Sequence, residues 1–301
     1  MIDFTDLPRR NKTYAGANGN KIAVVYDGAQ YMLKFPAPPK INKEMRYANG
    51  CFSEYLGSHI FQMAGIPAQE TLLGVFTKNG RERVVVACKD FTTDGSVLQD
   101  FASLKNTIID SEHNGYGTEL SDIMQAIEEQ QAFDPETLKR YFWDMFIVDA
   151  LIGNWDRHNG NWGFLYYPET DQMKFAPIYD CGSCLYPQAD ESIMQSVLEN
   201  ASERDYRIFE VPVSGIRENN QKIRYFDFIS SLKNRDCNAA LNRMEERINM
   251  EEVTALVDST PFISDLQKRF YKTMLTERKQ RILDFSLTKL RKREKKRQAT
   301  R

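Results

Sequence analysis

The fold and function of this chain are decided by the stretch from Asp149 to Cys184, which reads DALIGNWDRHNGNWGFLYYPETDQMKFAPIYDCGSC. Two apolar runs, Trp162 to Tyr167 and Met173 to Tyr179, lie on either side of a Pro-Glu-Thr-Asp turn. This pattern predicts a β-hairpin whose two ends lie side by side.

Three polar side chains stand at the ends of this predicted hairpin. Asp156 and Asn161 come before its first strand, and Asp180 follows its second strand. Folding of the hairpin would therefore bring two carboxylates and a carboxamide together. These oxygen donors are the ligands that a hard cation such as Mg²⁺ prefers.

The spacing within this group is typical of the catalytic loop and the metal-binding Asp of protein kinases. In such a site a base orients the attacking hydroxyl, and the metal neutralises the charge that develops on the phosphoryl group. We therefore predict Asp156 as the general base and Asn161 and Asp180 as magnesium ligands. His158 lies within the loop and is a further catalytic candidate; the alternative is a packed histidine that props the loop.

The run from Asp156 to Asn161, Asp-Arg-His-Asn-Gly-Asn, followed by Tyr179-Asp180, resembles the HipA-like serine/threonine kinase family. It is more distantly similar to the phosphatidylinositol kinases. The resemblance spans most of residues 10 to 185. It implies an α+β, two-lobed protein-kinase-like fold, with a small β-rich N-lobe over residues 1–90 and a larger helical C-lobe over residues 91–301. It also implies ATP and Mg²⁺ as cofactors, an unknown protein substrate and, as in several relatives, self-phosphorylation.

Two residues of the predicted N-lobe match the same pattern. The runs Ile22 to Tyr26 and Gln30 to Phe35 flank an Asp-Gly pair, which predicts a hairpin with Lys34 on its second strand. Apolar residues at helical spacing predict a helix from Asn49 to Ala64, with Glu54 in its first turns. The resemblance implies that Lys34 pairs with Glu54 and contacts the nucleotide's phosphates; the alternative is an edge-strand lysine in water.

The predicted nucleotide site has two further parts. The loop Gly16-Ala17-Asn18-Gly19, together with Lys21, lies at the mouth of the first hairpin, where backbone amides can approach phosphates. The runs Glu70 to Phe76 and Arg83 to Lys89 flank Asn-Gly and predict a second hairpin. We expect backbone groups from Ala87 to Asp90, which include Cys88 and Lys89, to bind the adenine edge.

The rest of the chain is predicted to be mainly helical. Helices are expected over Ser121 to Gln131, capped by Ser121, and over Asp134 to Ile152, capped by Asp134 with a proline at the first position. The second of these carries many aromatic residues and should be the central buried helix of the C-lobe. A short helix is expected over Ser192 to Leu198, and the apolar positions of Pro261 to Lys296, Phe285 included, should dock on this lobe.

Composition places the chain among ordinary globular proteins. Its 301 residues are 42% hydrophobic and 27% charged, and no apolar run is long enough to cross a bilayer. The N-terminus lacks the charged-then-apolar pattern of a signal peptide, which predicts a cytoplasmic protein without a membrane span. Five scattered cysteines favour reduced thiols over a disulfide framework.

The basic charge is concentrated at the C-terminus. The formal net charge of the chain is −2, yet Arg291 to Arg301 holds seven Lys or Arg residues and one Glu. This asymmetry suggests an acidic or nucleic-acid partner for the tail. A solvated end of the last helix is the alternative.

Other functions are also compatible with parts of this sequence. Cys181-Gly-Ser-Cys184 resembles a thiol-protease signature, a redox pair or half of a zinc site, although a protease would have its histidine after the cysteine rather than before it. A kinase for a small molecule or lipid, and a nucleotide-binding module without transfer activity, are alternatives to a protein kinase. A module without activity has little physical reason to keep Lys34, Glu54, Asp156, Asn161 and Asp180 together.

Overall fold

The computed structural model describes residues 1–14, 21–36, 49–109 and 114–299. The first part of the chain forms a five-stranded antiparallel sheet with the strand order β1-β2-β3-β5-β4. A helix, α1, joins β3 to β4 and packs on the sheet. The bounds of these elements are β1 Arg9–Arg10, β2 Lys21–Tyr26, β3 Ala29–Lys34, α1 Gly50–Met63, β4 Thr71–Lys78 and β5 Arg81–Lys89.

Both predicted hairpins of this sheet are present. Their tight turns place Asp27 and Gly28 at φ of 46° and 74°, and Asn79 and Gly80 at φ of 53° and 70°. Two consecutive residues with positive φ match the twist of the flanking strands, and Asp-Gly and Asn-Gly adopt this conformation at little cost. The turn sequences therefore fix the strand register that carries Lys34.

The second part of the chain contains a three-stranded sheet, a two-stranded hairpin and the other described helices. The predicted hairpin after Asn161 forms as β7 and β8, and β6 pairs with β7 on its other side. The bounds are β6 Val97–Asp100, α2 Phe101–Ile108, α3 Leu120–Glu129, α4 Pro135–Ile152, β7 Gly163–Tyr167, β8 Gln172–Phe175, α5 Glu191–Glu199, α6 Ala201–Phe209, β9 Arg217–Glu218, β10 Gln221–Lys222, α7 Tyr225–Ser231, α8 Arg235–Arg247, α9 Met250–Ser259, α10 Asp265–Arg278, a π-helical segment Lys279–Asp284 and α11 Phe285–Ala299.

Helix α4 lies at the centre of the main hydrophobic core, as predicted. The Asp134 side chain accepts a hydrogen bond from the amide of Thr137 at 2.8 Å, and Pro135 occupies the first helical position. The helix ends at Gly153, whose φ of 63° is left-handed. Every residue from Phe142 to Ile152 is buried, so α4 delivers the chain to the Asp156 loop from a fixed position.

One local prediction is wrong, and another holds in part. Helix α3 begins at Leu120, and Ser121 is a residue of its first turn rather than its cap. Glu119 occupies the cap position, and its carboxylate accepts hydrogen bonds from the amides of Asn219 and Asn220 on the β9–β10 turn instead. Phe285, expected to dock on the C-lobe, does so in part: its ring centroid lies 5.8 Å from that of Phe226 on α7, and the residue is 51% exposed.

The chain is an α+β protein with a β-rich first part and a helical second part. Strand β5 ends at Lys89, and the next strand belongs to a different sheet. The lobe boundary at residue 90 stays a prediction, which this change of sheet supports. In the described part of the chain, every helix is too short or too polar to cross a bilayer.

The close approach of α1 to the turn after Asp180 leads to a testable prediction. A Cβ atom at Gly57 would lie 2.8 Å from Cys181 Cβ and 2.9 Å from Cys184 Sγ. Gly57→Ala should therefore lower the free energy of unfolding by about 1–3 kcal/mol, because the buried turn must shift. Urea denaturation followed by circular dichroism measures this change.

Ser58→Ala, one residue further along α1, is the control. The Ser58 hydroxyl is buried and makes no hydrogen bond within the described ranges, so its removal should leave stability nearly unchanged. Equal denaturation midpoints for Gly57→Ala and the wild type would show that the turn is not tightly packed on α1.

Candidate active site

The ammonium of Lys34 joins three separated segments of the chain. On β3, Lys34 Nζ donates to Glu54 Oε2 of α1 at 2.9 Å and to Asp180 Oδ1 at 3.0 Å. Glu54 is buried, whereas the side chain of Asp180 is 51% exposed. The structure thus brings together three residues that were singled out from the sequence; their roles stay predictions.

The pair formed by Lys34 and Asp180 is ionised over a wide pH range. Burial acts to lower the pKa of Lys34, but the carboxylates of Asp180 and Glu54 outweigh it and raise the pKa well above its usual value. Attraction to Lys34 in turn lowers the pKa of Asp180 to about 2. At neutral pH, Asp180 is therefore a half-exposed carboxylate with its charge available to a cation.

Glu54 also supports the turn that follows Asp180. Its second carboxylate oxygen, Oε1, accepts a hydrogen bond from the amide of Cys181 at 3.1 Å. A Cβ atom at Gly182 would lie 3.0 Å from Glu54 Oε2, so a side chain there would crowd the carboxylate. One buried carboxylate therefore positions both Lys34 and the backbone beside Asp180.

The guanidinium of Arg157 holds the two ends of the β7–β8 hairpin together. It is buried and pairs with Asp149 at the end of α4, with an Nε–Oδ2 distance of 3.0 Å. Its Nη1 atom donates to the carbonyl oxygen of Asn161 at 2.6 Å and to that of Tyr179 at 2.7 Å. Because one nitrogen binds both carbonyls, the backbone at Asn161 lies beside the residue that precedes Asp180.

Asp156 and Asn161 face the same region. Asn161 Nδ2 donates to the carbonyl oxygen of Asp156 at 2.8 Å, and the amide of Asp156 donates to Asn154 Oδ1 at 3.1 Å. Burial raises the pKa of the Asp156 carboxyl; the charge of Asp180 adds to this rise, and that of His158 opposes it. The two carboxylates are thus close enough to influence each other's ionisation.

His158 supports the loop from within. Its Nδ1 atom accepts a hydrogen bond from the amide of Gly160 at 3.0 Å. The ring lies edge-on to Tyr116, with 6.4 Å between centroids. These contacts support the alternative in which His158 props the loop; its predicted catalytic role is untested.

The structure describes some of the predicted nucleotide-binding residues. Gly16, Ala17, Asn18 and Gly19 lie outside the described residues. Lys21 is directly opposite Lys34 in the β2–β3 pairing. Burial and the neighbouring charge of Lys34 lower the pKa of Lys21. Two lysines therefore stand side by side at the end of the first hairpin.

The predicted contact of Ala87, Cys88, Lys89 and Asp90 with adenine stays a prediction. Ala87 and Cys88 lie on β5, which pairs with β3 on one side and β4 on the other. The amide of Lys89 donates to the carbonyl of Glu70 at 2.8 Å, and its carbonyl accepts from Gln69 Nε2 at 2.9 Å. These backbone groups of Lys89 are engaged within the first part of the chain, and Asp90 follows at the end of the predicted range.

Asp90, immediately after β5, was expected to contribute backbone groups alone, but its side chain is buried and makes several contacts. Its carboxylate accepts hydrogen bonds from the hydroxyl of Tyr14 at 2.8 Å and from Gln30 Nε2 at 2.7 Å, and it pairs with Lys12 at 2.7 Å. Hydrogen bonds from Lys12, Thr92 and Tyr14 outweigh the effect of burial and lower the pKa of Asp90 to about 2. Asp90 thereby fixes the segment that leads into the predicted glycine loop. An acid directly after a buried strand was the available signal.

The cysteine pair does not form a reactive site in this structure. Cys181 and Cys184 are free and fully buried. Burial raises the pKa of Cys181 to about 12, so it is a neutral thiol rather than a nucleophilic thiolate or a metal ligand. In the described residues, no group of three or more His, Cys, Asp and Glu side chains is arranged to hold a metal ion by itself.

Comparison with known proteins identifies the family of this chain. The family model described as HipA-like C-terminal domain matches residues 11–259. The serine/threonine-protein kinase CtkA of Helicobacter pylori strain J99 is 49% identical over 290 residues, covering 96% of this chain and 88% of that protein.

Solved structures give the same result. The crystal structure of a proinflammatory kinase CtkA from Helicobacter pylori matches with a TM-score of 0.88 at 48% identity, over 95% of this chain and 97% of that one. HipA of Shewanella oneidensis MR-1, solved with HipB and operator DNA, matches with a TM-score of 0.52 at 14% identity, over 93% of this chain and 66% of that one. The second match concerns the fold alone. The fold is two-lobed and kinase-like, and the chain belongs to the HipA-like family of protein kinases.

Proposed function

We propose that this chain is an ATP- and Mg²⁺-dependent serine/threonine kinase that transfers the γ-phosphoryl group to a hydroxyl of another protein. The observation that carries the proposal is the position of Lys34 between Glu54 and Asp180. In kinases, a lysine and a helix glutamate hold the nucleotide's phosphates, and an aspartate holds the metal. The name of the Helicobacter pylori relative, a serine/threonine-protein kinase, supports the same class of acceptor.

The residues present fit a divalent cation. Asp180 offers an ionised, half-exposed carboxylate, and Asn161 offers an amide oxygen from the neighbouring loop. Phosphate oxygens and water would complete the coordination shell, as is usual for Mg²⁺. When bound, the metal neutralises charge on the transferring phosphoryl group. Lys34 would then exchange its contact with Asp180 for the phosphates while keeping Glu54.

Asp156 is proposed to orient the acceptor hydroxyl and take its proton. Its carboxyl is half-buried, and burial raises its pKa, which makes it a better proton acceptor than a solvated aspartate. The Arg157 contacts fix the loop on either side, so the carboxylate has a defined position. Self-phosphorylation, which the family resemblance implies, is part of this proposal. A cytoplasmic location stays a prediction.

A kinase for a small molecule or lipid is the main alternative, since it would use the same phosphate and metal contacts. Transfer to protein Ser or Thr, detected by mass spectrometry, distinguishes the two. A nucleotide-binding module without activity is disfavoured because Lys34, Glu54 and Asp180 are in direct contact and Asp156 lies close to Asp180.

The first test concerns the two aspartates. Asp156→Asn should lower the rate of phosphoryl transfer by about 10²–10⁴-fold with little change in ATP binding, because it removes the base alone. Asp180→Ala should abolish transfer and weaken binding of Mg²⁺-ATP more than binding of metal-free ATP. Radiolabel transfer to dephosphorylated casein and isothermal titration calorimetry measure these effects.

Glu169→Gln is the matched control, because Glu169 is an exposed carboxylate in the turn of the same hairpin. It should behave as the wild type in both assays. Near-normal transfer by either aspartate variant would refute the assignment of these roles.

The second test separates positioning from stability at Arg157. Arg157→Met leaves Asp149 as a buried, unpaired charge and should cost about 3–5 kcal/mol of stability. Replacing both residues, Arg157→Met with Asp149→Leu, should restore part of that stability, since the buried charges are then gone. Transfer activity should stay low in the double variant, because nothing then joins the carbonyls of Asn161 and Tyr179. A stable double variant with full activity would contradict the positioning role.

The third test concerns the basic tail. The residues of α11 from Arg291 onward are exposed, and Arg291 contacts Glu245 at 3.3 Å. We propose that this end of the helix binds an acidic partner. Deletion of Arg291 to Arg301 should leave casein phosphorylation unchanged and weaken salt-dependent retention on heparin, the polyanionic probe. Unchanged retention would refute the tail as the polyanion-binding element.

A further inference from the structure

A polar cavity of about 680 Å³ lies outside the nucleotide and metal site. Its lining comes from two segments, residues 114–119 with the first turns of α3, and the β9–β10 hairpin. The side chains that matter here are Tyr116, Thr118, Glu119, Asp122, Arg217 and Asn220. The proposed phosphoryl transfer does not use any of them.

The first wall is attached to the catalytic loop. Asn159, between the proposed base and Asn161, donates through Nδ2 to the carbonyls of Gly115 at 2.9 Å and Gly117 at 2.8 Å. A Cβ atom at Gly160 would lie 2.8 Å from the Tyr116 ring, so ring and loop are in close contact. The first wall of the cavity therefore packs directly on the catalytic loop.

The second wall also reaches the catalytic loop. A Cβ atom at Gly215 would lie 2.9 Å from the carbonyl oxygen of Arg157, so the chain entering β9 packs directly on the loop backbone. Lys222, which pairs with Arg217 across the β9–β10 hairpin, acts electrostatically on the Asp156 carboxyl. The β9–β10 hairpin and the segment that leads into it thus lie between the Asp156 loop and the cavity.

Hydrogen bonds clamp the two walls together. The amide of Arg217 donates to the carbonyl of Thr118 at 2.8 Å, and Glu119 accepts from the amides of Asn219 and Asn220. The space is therefore formed before anything binds, which lowers the cost of ordering a ligand.

The polar groups that face the cavity differ in how much hydrogen-bonding capacity remains for a ligand. Both carboxylate oxygens of Glu119 bind amides, and Arg217 Nη1 donates to the carbonyl of Asn220. Asp122 accepts from the Ser121 hydroxyl at 3.1 Å and lies 3.7 Å from Lys105, which leaves acceptor capacity on a 42% exposed side chain. A ligand that donates hydrogen bonds, with an apolar portion for Tyr116, suits this lining.

We propose that this cavity binds the segment of the protein substrate next to the acceptor Ser or Thr, and that Asp122 receives a donor side chain of that segment, such as Lys or Arg. The inference rests on the proposed function, and it specifies where the polypeptide substrate binds. The position of the two walls supports it, because both contact the loop that carries Asp156.

The test uses a positional-scanning library of Ser- and Thr-containing peptides as the probe. Thr118→Arg places a long side chain in the cavity and should lower kcat/KM for the peptides by about tenfold or more, mainly through KM. The KM for ATP and the hydrolysis of ATP without peptide should stay at wild-type values. Thr288→Arg, the same substitution at an exposed site on α11, is the control and should change neither.

A second variant tests the chemistry of the cavity. The wild type should prefer Lys or Arg at one position beside the acceptor, and Asp122→Asn should remove that preference while phosphorylating the remaining peptides. Wild-type peptide kinetics in Thr118→Arg, or an unchanged preference in Asp122→Asn, would overturn the inference.

A binding measurement separates this inference from the proposed function. Benzoylphenylalanine at position 118 should crosslink to the peptides upon irradiation, whereas the same residue at position 288 should not. This result does not depend on phosphoryl transfer. Crosslinking at position 118 without transfer to the peptides would therefore contradict the proposed protein kinase activity and leave the cavity as the peptide site. Equal crosslinking at both positions, with peptides still phosphorylated, would overturn the cavity as the substrate site alone.

Discussion

The buried guanidinium of Arg157 is the constraint on which the active site depends. Its charge is balanced by Asp149 at the end of α4, and its remaining donors bind the carbonyls on either side of the β7–β8 hairpin. A hairpin alone would not fix the position of the loop before it relative to the loop after it. Because one planar group binds α4 and both loops at once, the carboxylates of Asp156 and Asp180 come to one place on a rigid base.

Glu54 performs the corresponding task for the first part of the chain. Its two oxygens bind Lys34 of the five-stranded sheet and the amide that follows Asp180. Gly57 and Gly182 lack side chains where α1 and this turn meet, which allows the close approach that these bonds require. The two parts of the chain are therefore joined at the residues proposed to hold phosphate and metal, and each buried charge has its partner beside it.

Local sequence signals were enough for much of the fold. Asp27-Gly28 and Asn79-Gly80 have the backbone preference of two-residue turns. Asp134 and Pro135 are residues that favour the start of a helix, and α4 begins at that point. The grouping of Asp156, Asn161 and Asp180 followed from a hairpin between them. The contacts of Asp90 with Lys12, Tyr14 and Gln30 could not be predicted, because they join segments far apart in sequence. The engaged backbone at Ala87 to Lys89 depends on strand order, which no single strand encodes.

The central claim is that Asn161 and Asp180 share one divalent cation with a nucleotide. Anomalous diffraction from crystals grown with Mn²⁺ and a non-hydrolysable ATP analogue tests it most directly. The account predicts a manganese peak within about 2.5 Å of side-chain oxygens of both residues, with Lys34 moved from Asp180 to the phosphates. A bound nucleotide whose metal lies away from either side chain would contradict it.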